Sequence, residues 1–331
     1  MRAVRLRGRT LKMESADLPI PGPGEVSIKV AAVGVCASDV HYYLHGAIGG
    51  LDGNGLVLGH EFAGTVAEIG PGVTSLHSGD RVCAEPGRPC AECRECLRGD
   101  YHLCGRMRFF GTPPTDGALQ DRVICPVEWV FPIPDEMSFA EGAMMEPLAV
   151  ATFTTGEADL RGGESCAVIG LGAIGLSVVQ TMFAGGAALL WGVDPIEDRR
   201  NRAAAFGAVT QGCPSREADI AVECSGTPAG VLRCLDAVRP GGQLLLVGIP
   251  EVDEIRFPAA VARRKGVTMR FVRRYRHVFP RSIEWTRSGK VSVKSYPTHR
   301  FPLSRVGEAF ELAASRRDGV VRAWIDMAAS D

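Results

Sequence analysis

The sequence predicts an α/β protein in which a β-rich first part precedes a doubly wound parallel sheet. Residues 25–33 alternate at Val26, Ile28 and Val30, and 62–69 (FAGTVAEI) repeats that pattern, so each predicts a half-buried strand. Pro and Gly interrupt this region often, as at Pro19-Ile20-Pro21-Gly22-Pro23-Gly24, which suits a small irregular barrel with long loops. From about Val150, short apolar runs alternate with helical stretches, the order that builds a parallel sheet.

Taken in order, the second part opens with a strand at 166–169, a Gly-rich turn and a helix over 173–183. A second apolar run ends at Asp194 (LLWGVD), and a charged helix follows over 198–206. A strand at 219–224, a helix at 228–238 and a strand at 243–249 continue the alternation. Beyond Arg273 the pattern is less regular until a helix near 306–316. No repeat and no low-complexity tract breaks the chain.

Composition narrows the function. The 331 residues are 46% hydrophobic and 23% charged, with net charge −1, an ordinary globular balance for about two domains. That balance gives no field to draw the chain to nucleic acid or an anionic membrane. No apolar run approaches the ~20 residues of a membrane-spanning helix, and Met1–Leu6 is not followed by an apolar stretch, so a cytoplasmic location is expected. The eleven cysteines are an odd number, and four of them cluster tightly, which favours metal binding in a reducing compartment over a disulfide framework.

Gly170-Leu171-Gly172-Ala173-Ile174-Gly175 is a G-x-G-x-x-G placed directly between a predicted strand and a predicted helix. Its glycines allow a tight turn, close approach of a pyrophosphate and close helix–strand packing, and the helix start offers N–H groups to phosphate. Asp194 follows Gly175 by nineteen residues, at the end of the next strand, where an acid bonds a ribose 2′-hydroxyl. Its charge repels a 2′-phosphate, so NAD is favoured over NADP. Arg199 and Arg200 are near in sequence but fall on the following helix; Arg199 is counted with the cofactor residues.

Cys90-x2-Cys93-x2-Cys96-x7-Cys104 supplies four thiolates for one tetrahedral zinc with no open position, a structural site. The ferredoxin cluster pattern begins alike but continues with x3 and Cys-Pro, whereas here seven residues intervene and Gly105 follows. A second, dispersed set comprises Cys36, Gly59-His60-Glu61 and Glu146-Pro147. Thiolate, imidazole and carboxylate suit a zinc ion that keeps one position for water or substrate. Taken singly, Cys36 reads as a small buried apolar side chain and His60 as a hydrogen-bonded loop histidine.

Together these residues resemble the zinc-containing medium-chain dehydrogenases, nearest their polyol (sorbitol) dehydrogenase branch, over essentially the whole chain. The marks are Gly34-Val35-Cys36-Ala37-Ser38-Asp39-Val40-His41-Tyr42, Gly59-His60-Glu61-Phe62-Ala63-Gly64, the four-cysteine lobe, Thr112-Pro113-Pro114-Thr115-Asp116-Gly117, Met145-Glu146-Pro147-Leu148-Ala149-Val150 and the glycine motif. The resemblance implies a GroES-like catalytic domain over 1–149 with its structural-zinc lobe at about 86–106. A Rossmann NAD-binding domain over 150–272 and a return to the catalytic domain over 273–331 would complete it.

The resemblance further implies that Cys36, His60 and Glu61 hold catalytic zinc, with Glu146 holding the metal or its water; the two acids exchange roles in the family. Ser38 and His41 would form the proton relay. Tyr42, Glu146, Arg274 and Tyr275 would contact a polyol, with Phe109 or Phe110 as an apolar wall. The expected reaction is oxidation of a secondary alcohol to a ketone with hydride transfer to NAD, in a homo-oligomer. Butanediol, threonine or a phosphorylated polyol remain other candidate substrates, and a zinc-free nucleotide-binding sensor would be expected to lack these cysteines. Two departures stand out. Ala37 replaces a usual glycine, and between Gly207 and Asp219 the chain is short by a strand–helix unit, which bears on the adenine side of the pocket. The basic run Arg270, Arg273, Arg274, Arg276 and His277 reads first as a solvated face and second as an anion-binding patch.

Overall fold

A computed structural model describes residues 1–212, 214, 217–250 and 254–329. Cys213 and part of the shortened 207–219 stretch lie outside the described residues. The chain forms two compact units, one of Met1–Glu146 with Val293–Asp331 and one of Pro147–Ser292.

The first unit is built on a seven-stranded sheet. Its order is Val130–Pro132, Arg81–Ala84, Glu61–Ile69, Glu25–Gly34, Arg322–Asp326 and Pro297–Pro302, with Arg122–Pro126 also pairing to Glu25–Gly34. The alternation at Val26, Ile28 and Val30 is explained by burial, since all three side chains lie in the core with Phe62, Leu119 and Ile325. Arg322–Asp326 joins the sheet antiparallel to Glu25–Gly34, pairing Trp324 with Gly34. Arg322–Asp326 therefore fills an interior position, between Glu25–Gly34 and Pro297–Pro302.

The second unit carries a five-stranded, wholly parallel sheet. Its order is Leu189–Val193, Ser165–Ile169, Ala218–Glu223, Val238–Leu246 and Thr268–Phe271. Strand order reverses about Ser165–Ile169, the switch point where such sheets bind ligands. Beside Leu189–Val193 the described residues supply only one further parallel bridge, Trp191 with Val209.

Between residues 250 and 292, three elements among the described residues went unread in the sequence. Helix Ala259–Lys265, strand Thr268–Phe271 and helix Phe279–Arg287 fall where charge obscures the apolar period. Phe279–Arg287 belongs to the second unit: Ser282 Oγ lies 2.9 Å from Thr152 Oγ1, and Gln180 exchanges hydrogen bonds with the Ser292 backbone. The first unit resumes at Val293.

Candidate metal centres and nucleotide turn

The helix Ala37–His45 starts at Cys36, its N-cap. Asp39, in the first turn, is 1% exposed and accepts hydrogen bonds from the Cys36 and Gly59 N–H groups, both at 3.0 Å. One carboxylate thereby ties the thiol-bearing turn to the loop that carries His60. Asp39 Oδ1 also lies 3.6 Å from His60 Nδ1, which orients the ring's other nitrogen away from Asp39. Burial opposes a charge on His60, but Asp39 and Cys36 outweigh it and raise its proton affinity well above that of ordinary imidazole.

Cys36, His60 and Glu61 each offer a ligand atom within 4.8 Å of the others. Glu61 opens the strand Glu61–Ile69 opposite Gly34, and a Cβ on Gly34 would stand 2.3 Å from Glu61 Oε2, so only glycine leaves the carboxylate its space. Both Glu61 oxygens are buried with no hydrogen-bond donor among the described residues. Arg322 Nη2 is 3.0 Å from Oε1, an ion pair whose angles do not make a hydrogen bond. Burial works against the Arg322 charge, yet Glu61, Cys36, Glu146 and Asp39 together hold its pKa up. Two orphaned carboxylate oxygens beside a thiol and an imidazole fit a zinc ion, which would satisfy them.

Glu146, in the first turn of Met145–Glu157, is buried and sits within the same field as Arg322. Nearby, burial pushes Glu85 up to about 8, with Tyr101 opposing and Glu146 reinforcing the shift. Asp39, Arg322 and Glu85 were all missed in the sequence. Asp39 alone left a signal there, three residues after Cys36 in capping-box spacing.

Ser38 and His41 are half-buried and three residues apart on one helix, so they share a face. Tyr42, 3% exposed, packs over Gly53. Of the two candidate rings it is Phe109 that lies against His60, at 5.4 Å, whereas Phe110 turns into the core against Phe62. In the Thr112–Gly117 segment Asp116 has a bracing role: it accepts from Val57 N–H at 3.0 Å and pairs with Arg5. Ala118 N–H then reaches the Gly59 carbonyl at 2.7 Å, supporting the His60 loop.

The four-cysteine lobe converges as the spacing predicts. Cys93 and Cys96 Sγ are 3.4 Å apart, and Cys90 and Cys96 Sγ are 3.9 Å apart. A zinc tetrahedron with Zn–S of about 2.3 Å has edges of about 3.8 Å, whereas a disulfide would need about 2.0 Å. Arg106 donates to Cys90 Sγ at 3.3 Å and pairs with Glu92, placing a cation against the thiolate cluster.

In the second unit the glycine motif links Ser165–Ile169 to Ala173–Ala184. Gly170 has φ +94, and a Cβ there would lie 2.6 Å from Ser225 N; a Cβ on Gly175 would lie 1.8 Å from Gly170 O. Asp194, 7% exposed, accepts from Leu171 N–H and Ile196 N–H, both at 2.8 Å, so it also braces the turn. Arg199 Nη1 lies 3.7 Å from Asp194 Oδ2. Glu223, buried and likewise missed in the sequence, accepts from Ser225 and Gly226 N–H at the end of the neighbouring strand. Tyr275 is 3% exposed beside Phe279, and Arg274 and His277 hold φ of +51 and +55.

Residues 22–135 match the alcohol dehydrogenase GroES-like domain, and 173–288 match the zinc-binding dehydrogenase domain. The chain belongs to the zinc-binding dehydrogenase family and is an enzyme of that class. It is 34% identical to sorbitol dehydrogenase of Bacillus subtilis, covering 98% of this chain and 96% of that one. Against D-xylulose reductase of Saccharomyces cerevisiae the identity is 36%, over 91% and 90% of the two chains. Among solved structures, 2R,3R-butanediol dehydrogenase from Bacillus subtilis superposes with a TM-score of 0.88 at 28% identity, over 98% and 99%. No helix among the described residues is long and apolar enough to cross a membrane.

Proposed function

We propose that this enzyme oxidises a secondary alcohol of the polyol class to a ketone, using zinc and NAD. The convergence of Cys36, His60 and Glu61 in a zinc-binding dehydrogenase carries the reading. When bound, zinc supplies a Lewis acid that lowers the pKa of an alcohol, and NAD takes the hydride. Cys36, His60 and Glu61 would hold the metal, with Glu146 as ligand or as partner to a water. Asp39 sets the imidazole's tautomer, and Arg322 offsets the negative charge of the donor set.

Ser38 and His41, on one helix face, would carry the hydroxyl proton toward solvent, a task that suits an imidazole. Phe109 supplies an apolar wall beside His60. Tyr42, Glu146, Arg274 and Tyr275 would contact further hydroxyls. The backbone at Gly170–Gly175 would take the pyrophosphate, and Asp194 would favour NAD over NADP. Cys90, Cys93, Cys96 and Cys104 would hold the structural zinc.

The printed activities of the relatives support sugar alcohols, with a vicinal diol as the second candidate. A phosphorylated polyol gains support from Arg273, which is exposed with no ion pair among the described residues, beside two left-handed positions that cost of order 1–3 kcal/mol each. Thr268–Phe271 is an edge strand with Phe271 72% exposed, which supports a homo-oligomer. A cytoplasmic location is part of the reading; the described cysteines form no disulfide. NADH formation across sugar alcohols, diols, threonine and sugar-alcohol phosphates, with and without chelator, tests the reading. No turnover of any alcohol by zinc-replete protein would end it.

A further inference from the structure

The geometry points to a third metal site, apart from the two ligand sets above, formed by His41 and His45. The two residues lie one turn apart on Ala37–His45, so they share a helix face. Their ring centroids are 4.6 Å apart and their planes are tilted by 57°. A bound ion would need one nitrogen of each ring at about 2.0–2.1 Å. His45 is exposed and His41 half-buried, so solvent reaches the pair from the His45 side.

Two further features favour a cation here. His45 stands in the last helical turn, directly before the C-cap Gly46, where the carbonyl end of the helix is negative. Imidazole nitrogen is also the commonest protein ligand of transition metals, and here two such donors adjoin. Imidazole donors select nickel, copper or zinc over magnesium or calcium. The pair is thus a chelating site for a divalent transition ion.

Its consequence for turnover rests on the proposed role of His41 in the proton relay. A ring nitrogen engaged by an ion cannot pass a proton, so occupancy of this site slows oxidation. Excess transition metal then inhibits an enzyme that needs zinc elsewhere.

Zinc-replete enzyme dialysed against Ni2+ tests the site, with nickel and zinc counted separately. Wild type is expected to bind one nickel per chain without releasing zinc, and nickel is expected to inhibit it reversibly. His45→Gln, an exposed change to a good helix former, should weaken nickel binding at least about tenfold, the scale of losing a metal-site partner. Its activity without nickel and its zinc content should match wild type. Equal nickel binding by His45→Gln, no binding by wild type, or nickel entering only as zinc leaves would each overturn the site. Nickel bound through His45 without inhibition would keep the site and remove His41 from the relay.

Discussion

Arg322 lies 3.0 Å from the Glu61 carboxylate, both side chains buried, although the two residues come from opposite ends of the chain. The arginine also donates to the Val35 carbonyl at 3.0 Å, next to Cys36. The strand that returns from the carboxyl terminus therefore supplies the counter-charge for the buried acids Glu61 and Glu146. A buried pair of this kind adds little net stability when whole but is costly to halve.

Arg322→Met should leave Glu61 as an uncompensated buried charge and destabilise the first unit by about 3–5 kcal/mol. Urea unfolding measures this, and zinc stoichiometry of the folded fraction shows whether Glu61 still holds its place. Wild-type stability in the variant would mean that the ion pair is incidental.

The two cysteine sets should separate in a metal count. Cys36→Ser is expected to remove the zinc tied to activity and keep the lobe's zinc, with turnover lost. Cys96→Ser should lower thermal stability more than it lowers turnover, because the lobe's thiolates sit 3.4–3.9 Å apart as a structural cluster. Elemental analysis finding full zinc in Cys36→Ser would exclude it as a ligand.

Asp194→Ala should relax the preference for NAD over NADP, and because Asp194 also accepts from Leu171 N–H it should weaken binding of both. Fluorescence titration with each reduced cofactor reads the two effects separately. A cofactor ratio equal to wild type would place the discrimination at another residue.

Burial raises Glu85 to about 8 from 4.5, so the folded protein holds this proton more tightly than the unfolded chain. Its contribution to stability is full below pH 4.5 and is lost as pH rises through about 8. Glu85→Gln, neutral at every pH, should flatten the fall in melting temperature across that window. Parallel wild-type and variant curves would show that the acid is already ionised when folded.

The sequence by itself determined what short-range pattern can encode. The G-x-G-x-x-G turn and the Cys90–Cys104 lobe are each confined to a few residues, and their geometry follows from spacing because the chain has little freedom over such lengths. The alternation at Val26, Ile28 and Val30 likewise announced its own burial. Tertiary structure decided the rest. Whether Phe109 or Phe110 faces His60 depends on which neighbour the short strand Arg108–Phe109 pairs with. Glu85 and Arg322 look like surface charges in the sequence, and only burial beside Glu146 and Glu61 gives them their roles. Charge neutralisation acts through space, so no local pattern could have joined Arg322 to Glu61 before the strands that carry them came together.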